Sequence, residues 1–197
     1  MNEEGGAKVL VKDVVSKNNG DPGVQISGTG ITLLNVKASN NDGAGIEIVG
    51  YPTVPSVPYP RTDVTFEGIV SLNNNNFFGI DVENNVVENA DVTVNGTIHV
   101  TGDLNTDRNG MVGVFVNNDT AVSIVLGEAS SFGKSSKGSS GSLTSCGNGE
   151  DDILNNGKGV FEGSDYTCGE SFTENNAQLP QCKPCPDCSL PQMFPFG

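Results

Sequence analysis

Four side chains that could bind a ligand occupy the same position of a short sequence repeat. The repeat is Gly-Φ-x-Φ, where Φ is apolar, and position x holds Gln25, Glu47, Asp81 and Phe115. Two neighbouring carboxylates can act as the acid and base of glycoside hydrolysis, or they can bind Ca²⁺ through their oxygens. Glu47 and Asp81 are therefore weak candidates for catalytic groups, and all four residues are candidates for ligand binding.

The segments that carry these residues recur in a fixed order, which indicates a repeat protein. Copies begin at Gly23, Gly45, Gly79 and Gly113, with a weaker copy at Gly159, and a second apolar unit precedes each of them. The shortest spacing, 22 residues from the first copy to the second, is about one coil of a parallel β-solenoid. Apolar residues alternate inside each copy, so one row faces a core and position x faces solvent. The predicted inward residues are Val24, Ile26, Ile46, Ile48, Ile80, Val82, Val114 and Val116.

Asparagine marks the turn before each copy. Asn18, Asn40 and Asn74 each lie five residues before the glycine of their repeat, and the fourth repeat has Arg108 there. Stacked Asn side chains can hydrogen-bond from coil to coil, and Asn tolerates a left-handed backbone. We predict an Asn ladder at these positions, broken or shifted at Arg108, and we expect the following glycine to permit a sharp bend.

Residues 7–126 resemble the right-handed parallel β-helix of the pectate-lyase-like superfamily. The best copy of the repeat is ITLLNVKASNNDGAGIEIV (31–49), and VLVKDVVSKNNGDPGVQIS (9–27) is nearly as good. The resemblance implies an all-β fold, a right-handed parallel β-helix of about four to five coils, in which Glu47 and Asp81 lie on adjacent coils roughly 5 Å apart. The alternative, an antiparallel β-sandwich, does not predict two strand types in constant order.

The resemblance is informative about fold rather than function, because many activities share this scaffold. Pectate-lyase-like enzymes use clustered aspartates for Ca²⁺ with a basic residue, and polygalacturonase-like enzymes use several aspartates with a histidine and a basic clamp. This chain has two arginines, Arg61 and Arg108, and one histidine, His99, which alternates outward with Thr97 on a strand. The short signatures of those enzymes are missing, as are nucleophile-elbow, P-loop and dinucleotide-binding motifs.

Charge restricts the partners. Asp and Glu number 24 against 10 Lys and Arg, a formal net charge of −14. This excess argues against nucleic acid and anionic lipid, since both bind clustered Lys and Arg, and it permits Ca²⁺ or a cationic partner. No segment approaches 18 consecutive apolar residues, so we expect no membrane insertion. The first ten residues, MNEEGGAKVL, lack the basic start and apolar stretch of a signal peptide.

Composition divides the chain into five segments. These are a cap or tail at 1–6, the β-helix repeats at 7–129, a Ser/Gly-rich insertion or linker at 130–145, a last coil that could form at 146–163, and a Cys/Pro-rich tail at 164–197. Within the repeats, residues 51–60 form a Pro-rich loop. Its two tyrosines, Tyr51 and Tyr59, could stack on sugar rings and join the ligand-binding candidates.

The cysteines all lie beyond the Ser/Gly stretch, at Cys146, Cys168, Cys182, Cys185 and Cys188. Two disulfides with one cysteine left over are the favoured interpretation, and a Zn²⁺ site formed by Cys168 and the CxxCxxC cluster is the alternative. Sequons for N-glycosylation begin at Asn95 and Asn118. Disulfides and sequons together favour an extracellular or cell-surface protein.

The sequence thus predicts a non-catalytic extracellular β-helix module with a structural, adhesive or glycan-recognition role, whose partner is a polysaccharide or another surface protein. The first alternative is a lyase or glycoside hydrolase, or a fragment of one, that acts on an acidic polysaccharide. The second is a subunit of a filament stacked end to end, because the end coils of a solenoid expose strand edges. A basic residue beside Glu47 and Asp81 would favour the enzyme, and a flat polar face the module.

Overall fold

The computed structural model describes residues 8–50, 61–84, 94–117, 120–127, 141–173 and 177–186. The predicted sites at Tyr51, Tyr59, Asn118 and Cys188 lie outside these residues. In the described part, nineteen short strands form three sheets in which all neighbouring strands are parallel. The chain visits the sheets in rotation, so the predicted all-β parallel β-helix is confirmed.

Sheet A contains β1 (Val9–Lys12), β4 (Thr29–Leu34), β7 (Arg61–Glu67), β10 (Val94–Val100), β13 (Thr120–Leu126) and β16 (Phe161–Glu162). Sheet B contains β2 (Val15–Lys17), β5 (Lys37–Ser39), β8 (Ile69–Ser71), β11 (Asp103–Asn105), β14 (Ser142–Ser145), β17 (Tyr166–Cys168) and β19 (Cys182–Lys183). Sheet C contains β3 (Val24–Ile26), β6 (Ile46–Gly50), β9 (Ile80–Asn84), β12 (Val114–Val116), β15 (Ile153–Asn155) and β18 (Ser171–Phe172).

The solenoid continues through segments that composition marks as linker and tail. Strand β14 lies within 130–145, and β17, β18 and β19 lie within 164–197. Leu143 and Tyr166 stack in register on Leu104 and are fully buried, so these strands extend the same core. Strands of two to four residues show too little alternation for a sequence pattern to reveal them.

The core is built from columns of aliphatic side chains that run along the solenoid. In sheet C the first inward column is Val24, Ile46, Ile80, Val114 and Ile153, in direct register. All but the first are essentially inaccessible to solvent, as predicted from the alternation. Burial of one such side chain contributes about 1.5–3 kcal/mol, and the columns supply most of the stabilisation. The outer residues of each strand are therefore held in fixed rows.

The turn from sheet B to sheet C contains one left-handed residue in each of five successive coils. These residues are Asn18, Asn40, Asn74, Arg108 and Gly147, with φ between 55° and 67°. The side chains of the three asparagines and of Arg108 are exposed. Arg108 adopts the same backbone conformation as the asparagines, so the predicted interruption at this coil is wrong. The turn geometry is set by the coil, and an exposed Arg can adopt it at modest energy.

The asparagine ladder lies one residue later than predicted. Asn41 donates from its backbone N and its Nδ2 to Asn75 Oδ1, at 3.2 and 2.9 Å. Asn75 bonds to Asn109 Oδ1 in the same way, and Asn109 to Asn148 Oδ1. The correction has a simple cause, since the left-handed residue turns its side chain to solvent while the next residue points into the turn.

An aspartate ends the ladder at its C-terminal side. Asn148 donates from N and Nδ2 to Asp152 Oδ1, at 3.2 and 2.7 Å, and Gly169 N donates to Asp152 Oδ2. Asp152 is 5% exposed. A carboxylate accepts hydrogen bonds and donates none, so it satisfies the last amide without needing an acceptor itself.

The glycine of each Gly-Φ-x-Φ unit is needed for space rather than for a bend. None of Gly23, Gly45, Gly79 and Gly113 has a left-handed φ. A Cβ on Gly79 would lie 2.5 Å from the carbonyl oxygen of Gly113 and 2.9 Å from Asn109 Nδ2. The expected sharp bend is therefore wrong, because these glycines instead let the ladder amide and the next coil approach closely.

Two disulfides and a crossing segment close the C-terminal end of the core. They join Cys146 to Cys185 and Cys168 to Cys182, which confirms the disulfide interpretation for the four described cysteines. Leu179 and Cys182 pack against the core, and Asn155 Nδ2 donates to the carbonyl of Gln178 at 2.9 Å. These contacts place residues 177–183 across the last coils.

The ladder can be tested by comparing two adjacent asparagines. We expect Asn75→Ala to lower the free energy of unfolding by about 2–4 kcal/mol, because it leaves the buried N–H groups of Asn41 without an acceptor. Asn74→Gly, at the exposed left-handed position, should change it by less than about 0.5 kcal/mol. Urea unfolding measures both, and equal effects would contradict the ladder.

Candidate functional site

The outer face of sheet C brings the sequence-predicted residues into one row. Gln25, Glu47, Asp81 and Phe115 are register partners on four successive strands. The row continues with Leu154 and Phe172 on the last two strands. The face therefore changes from polar in its N-terminal half to apolar in its C-terminal half.

Glu47 is the centre of the polar half. Gln25 Nε2 donates to Glu47 Oε2 at 2.9 Å, and the side chain of Glu83 hydrogen-bonds to Glu47. Glu83 follows Asp81 by two residues on β9 and therefore points to the same outer face. The sequence reasoning missed Glu83, which lies just outside the Gly-Φ-x-Φ unit, although continued alternation would have placed it there.

Two carboxyl groups of this face are held in a partly protonated state. Burial and, to a smaller extent, the negative charge of Glu47 together raise the pKa of Asp81 to about 7. The pKa of Glu83 is also raised to about 7, first by burial and then by its hydrogen bond to Glu47 and the nearby charges. Asp81 Oδ1 is buried and has no hydrogen-bond partner among the described residues. At neutral pH the face thus offers both donor and acceptor oxygens.

Aromatic rings border the carboxyl groups on the C-terminal side. The Phe78 and Phe115 rings are stacked, with centroids 5.1 Å apart and planes 18° from parallel. Phe77 contacts Phe78 at 6.3 Å and is 49% exposed. Further along the row, Phe172 is 51% exposed. An accessible apolar stripe is therefore continuous with the acidic row.

The described residues place no cation against these carboxyl groups. Lys12 pairs with Asp13 beside sheet A, and Lys183 pairs with Asp165 beside sheet B. His99 lies on sheet A, in register with Thr65 and Val125, and Arg108 is in the turn. The side chain of Arg61 is outside the described part of the chain.

One group of possible metal ligands occurs among the described residues, formed by Cys146, Asp152 and Cys185 within 4.8 Å. Its two sulfurs are bonded to each other, and its carboxylate accepts three N–H groups. These atoms already have partners, and the four described cysteines form two disulfides rather than the alternative Zn²⁺ site.

The glycosylation candidate Asn95 is half-buried on β10, between its register partners on β7 and β13. Within the described residues, no helix is long and apolar enough to cross a membrane.

No protein-family model, curated protein or solved structure matches this chain. The geometry of sheet C is therefore the main basis for assigning a function.

The raised pKa of Asp81 predicts a stability that increases in acid. The folded-state pKa, about 7, lies above the ordinary aspartate value of 3.8, so the folded state binds more protons than the unfolded chain between these pH values. The contribution is fully present below about pH 4 and is lost as the pH rises through 7. Asp81→Asn should therefore be more stable than the wild type at pH 8, on the order of 1–3 kcal/mol, with a smaller difference at pH 4.

Chemical denaturation from pH 4 to 8 measures this difference. Asp103→Asn, at an exposed site on sheet B, is the matched control and should follow the wild-type pH profile. If the free energy of unfolding of Asp81→Asn changed with pH in parallel with that of the wild type, ionisation of Asp81 would not destabilise the folded protein.

Proposed function

We propose that this protein is a non-catalytic extracellular or cell-surface β-helix module that recognises a glycan on the outer face of sheet C. The observation that carries the proposal is the direct register of Asp81 with Phe115, whose ring is stacked on Phe78. Carboxyl oxygens hydrogen-bond to sugar hydroxyls, and an aromatic ring packs on the apolar face of a sugar. Both groups are held here on rigid strands, which favours a preorganised site.

The shape of the row suits a linear ligand. Each coil adds about 4.8 Å along the solenoid, so the row from Glu47 to Leu154 extends about 14 Å. The partly protonated Glu83 and Asp81 can both donate and accept, as sugar hydroxyls do.

The two disulfides support an oxidising compartment, which is why we place the module outside the cell. Membership of the pectate-lyase-like superfamily is also part of this proposal, and it rests on the sequence repeat. A recognition role is preferred to catalysis because the described residues place no cation against Glu47 and Asp81. The solenoid itself would serve as the rigid support, consistent with a structural or adhesive protein.

Binding to a panel of neutral and acidic polysaccharides, with and without Ca²⁺, tests the proposal. We expect Phe77→Ala and Phe115→Ala to weaken binding about 10-fold or more, since each removes a ring from the aromatic stripe. Ile69→Ala, which truncates an exposed apolar side chain on sheet B, should bind like the wild type. Thermal unfolding of each variant separates lost contacts from lost folding. Equal weakening in all three would place the binding site elsewhere.

A glycoside hydrolase or lyase is the second candidate, favoured by one observation. Asp81 is held partly protonated beside Glu47 on the adjacent coil, and such a pair could divide acid and base roles. The expected products are new reducing or unsaturated ends on an acidic polysaccharide, lost in Asp81→Asn and in Glu47→Gln. Binding that persists without any such product would support the module and exclude this candidate.

A further inference from the structure

The rings of Phe77, Phe78 and Phe115 form an aromatic patch on the outer side of sheet C. Phe77 is half exposed, and the stacked rings of Phe78 and Phe115 are partly accessible. An accessible apolar surface on rigid strands is a common place for a ligand to bind. The charges around the rings decide which class of glycan this patch would take.

Carboxyl groups border the aromatic patch on its N-terminal side. Asp81 is the register partner of Phe115, and Glu47 is the register partner of Asp81 on the coil before. Glu83 shares their outer face and hydrogen-bonds to Glu47. Because the coils are about 4.8 Å apart, these groups lie within about 10 Å of Phe115 along the solenoid.

Further carboxyl groups border the patch on its C-terminal side. Met111 N donates to the carbonyl of Phe77 at 2.9 Å, and Glu150 N donates to that of Met111 at 2.8 Å, so Glu150 lies two coils beyond Phe77 at an equivalent position. The pKa of the adjacent Asp151 is raised, first by burial and then by nearby carboxylates, of which Glu170 has the largest effect. Glu150 and Glu170 are both exposed. Acidic groups therefore flank the rings in both directions along the solenoid.

The basic residues of these coils do not offset this charge. Among the described residues, Arg108 lies in the turn before β12, Lys158 lies between β15 and β16, and the other lysines of these coils are on sheet B. Three connections leave sheet C after β6, β9 and β12, and together they contain three acidic residues and no Lys or Arg; they are residues 51–60, 85–93 and 118–119. A polyanion that approached the patch would therefore be repelled.

We propose that the aromatic patch of sheet C binds a linear polysaccharide whose sugars carry protonated amino groups, the chemistry of a β-1,4-linked glucosamine polymer. This inference rests on the proposed glycan recognition and narrows it to cationic glycans. Each sugar of such a polymer has an apolar face that can pack on an aromatic ring. Each also has an ammonium group that can pair with a carboxylate or lie against a ring face.

Charge complementarity is the reason for preferring this ligand. An ammonium group beside Asp81 and Glu83 favours their charged forms, which burial disfavours in the free protein. A neutral glycan can pack on the rings but brings no charge to the carboxyl groups, and an acidic glycan brings like charges. A basic peptide supplies the charge, but it loses more conformational freedom on binding than a stiff polymer with a regular repeat.

Two matched hexasaccharides test the inference, one of β-1,4-linked glucosamine and one of β-1,4-linked N-acetylglucosamine, because they differ in the charge of the amino group. We expect calorimetry with the 197-residue chain at pH 7 and low salt to show about 10-fold tighter binding of the glucosamine hexamer. Several partly exposed ion pairs together account for a preference of this size. The preference should decrease as the salt concentration rises, because salt screens exposed charges.

Substitutions that remove one charge but keep the side-chain shape identify the carboxyl groups involved. Glu47→Gln and Glu83→Gln should each lower the preference about 2–5-fold and leave binding of the N-acetylated hexamer close to that of the wild type. Glu162→Gln, at an exposed position on sheet A, is the matched control and should keep the full preference. Phe115→Ala should weaken binding of both hexamers, since both use the ring. Circular dichroism of each variant confirms that it is folded.

Four results would overturn the inference. Equal affinity for the two hexamers, or tighter binding of the N-acetylated one, would exclude a cationic ligand and leave glycan recognition standing. A preference that Glu47→Gln and Glu83→Gln do not change would place the cation elsewhere. Binding of hexalysine as tight as that of the glucosamine hexamer, and unchanged in Phe115→Ala, would show a site for charge alone. If no neutral, acidic or cationic glycan bound, the proposed function would be wrong as well.

Discussion

The hydrogen bonds of the asparagine ladder are the constraint on which the rest of this structure depends. Each Oδ1 from Asn41 to Asn148 takes two N–H groups from the coil before it, so every coil must bring an Asn to the same place. In all five coils the sheet C strand begins five residues after this Asn, as Ile80 follows Asn75. The ladder therefore fixes the row of outer side chains, and longer insertions such as 51–60 are confined to other connections.

Against this regular framework, Asp81 is a local exception. The inward columns are apolar and the ladder amides are paired, yet Asp81 holds a buried oxygen without a partner and has a raised pKa. A carboxyl group that lowers stability at neutral pH is disfavoured by folding alone, and such groups concentrate where a protein binds or reacts. Asp81 lies between Glu47 and Phe115 on sheet C, and this position is why we propose that sheet C binds a ligand.

The sequence is sufficient to predict the solenoid and its apolar columns, because the alternation of apolar residues and the order of the strand units recur in every copy of the repeat. It misplaces the ladder by one residue because three coils have Asn at both positions, as in Asn40-Asn41, and only Arg108-Asn109 and Gly147-Asn148 distinguish them. The repeat predicts that Asp81 and Glu47 lie side by side on adjacent coils. The burial that raises the pKa of Asp81 depends on packing, which the repeat does not reveal. The pairing of the cysteines could not be predicted from the sequence either, since Cys146 and Cys185 are 39 residues apart and meet only because the coils stack.

The direction of the ladder also accounts for the asymmetry of the two ends. A buried N–H without an acceptor is more costly than an acceptor that water can reach, so the end where the amides donate must be closed. That is the C-terminal end, where Asp152 receives the N–H groups of Asn148 and the disulfides hold the surrounding coil. The N-terminal end leaves the exposed Asn19 with an acceptor facing outward, which solvent can satisfy.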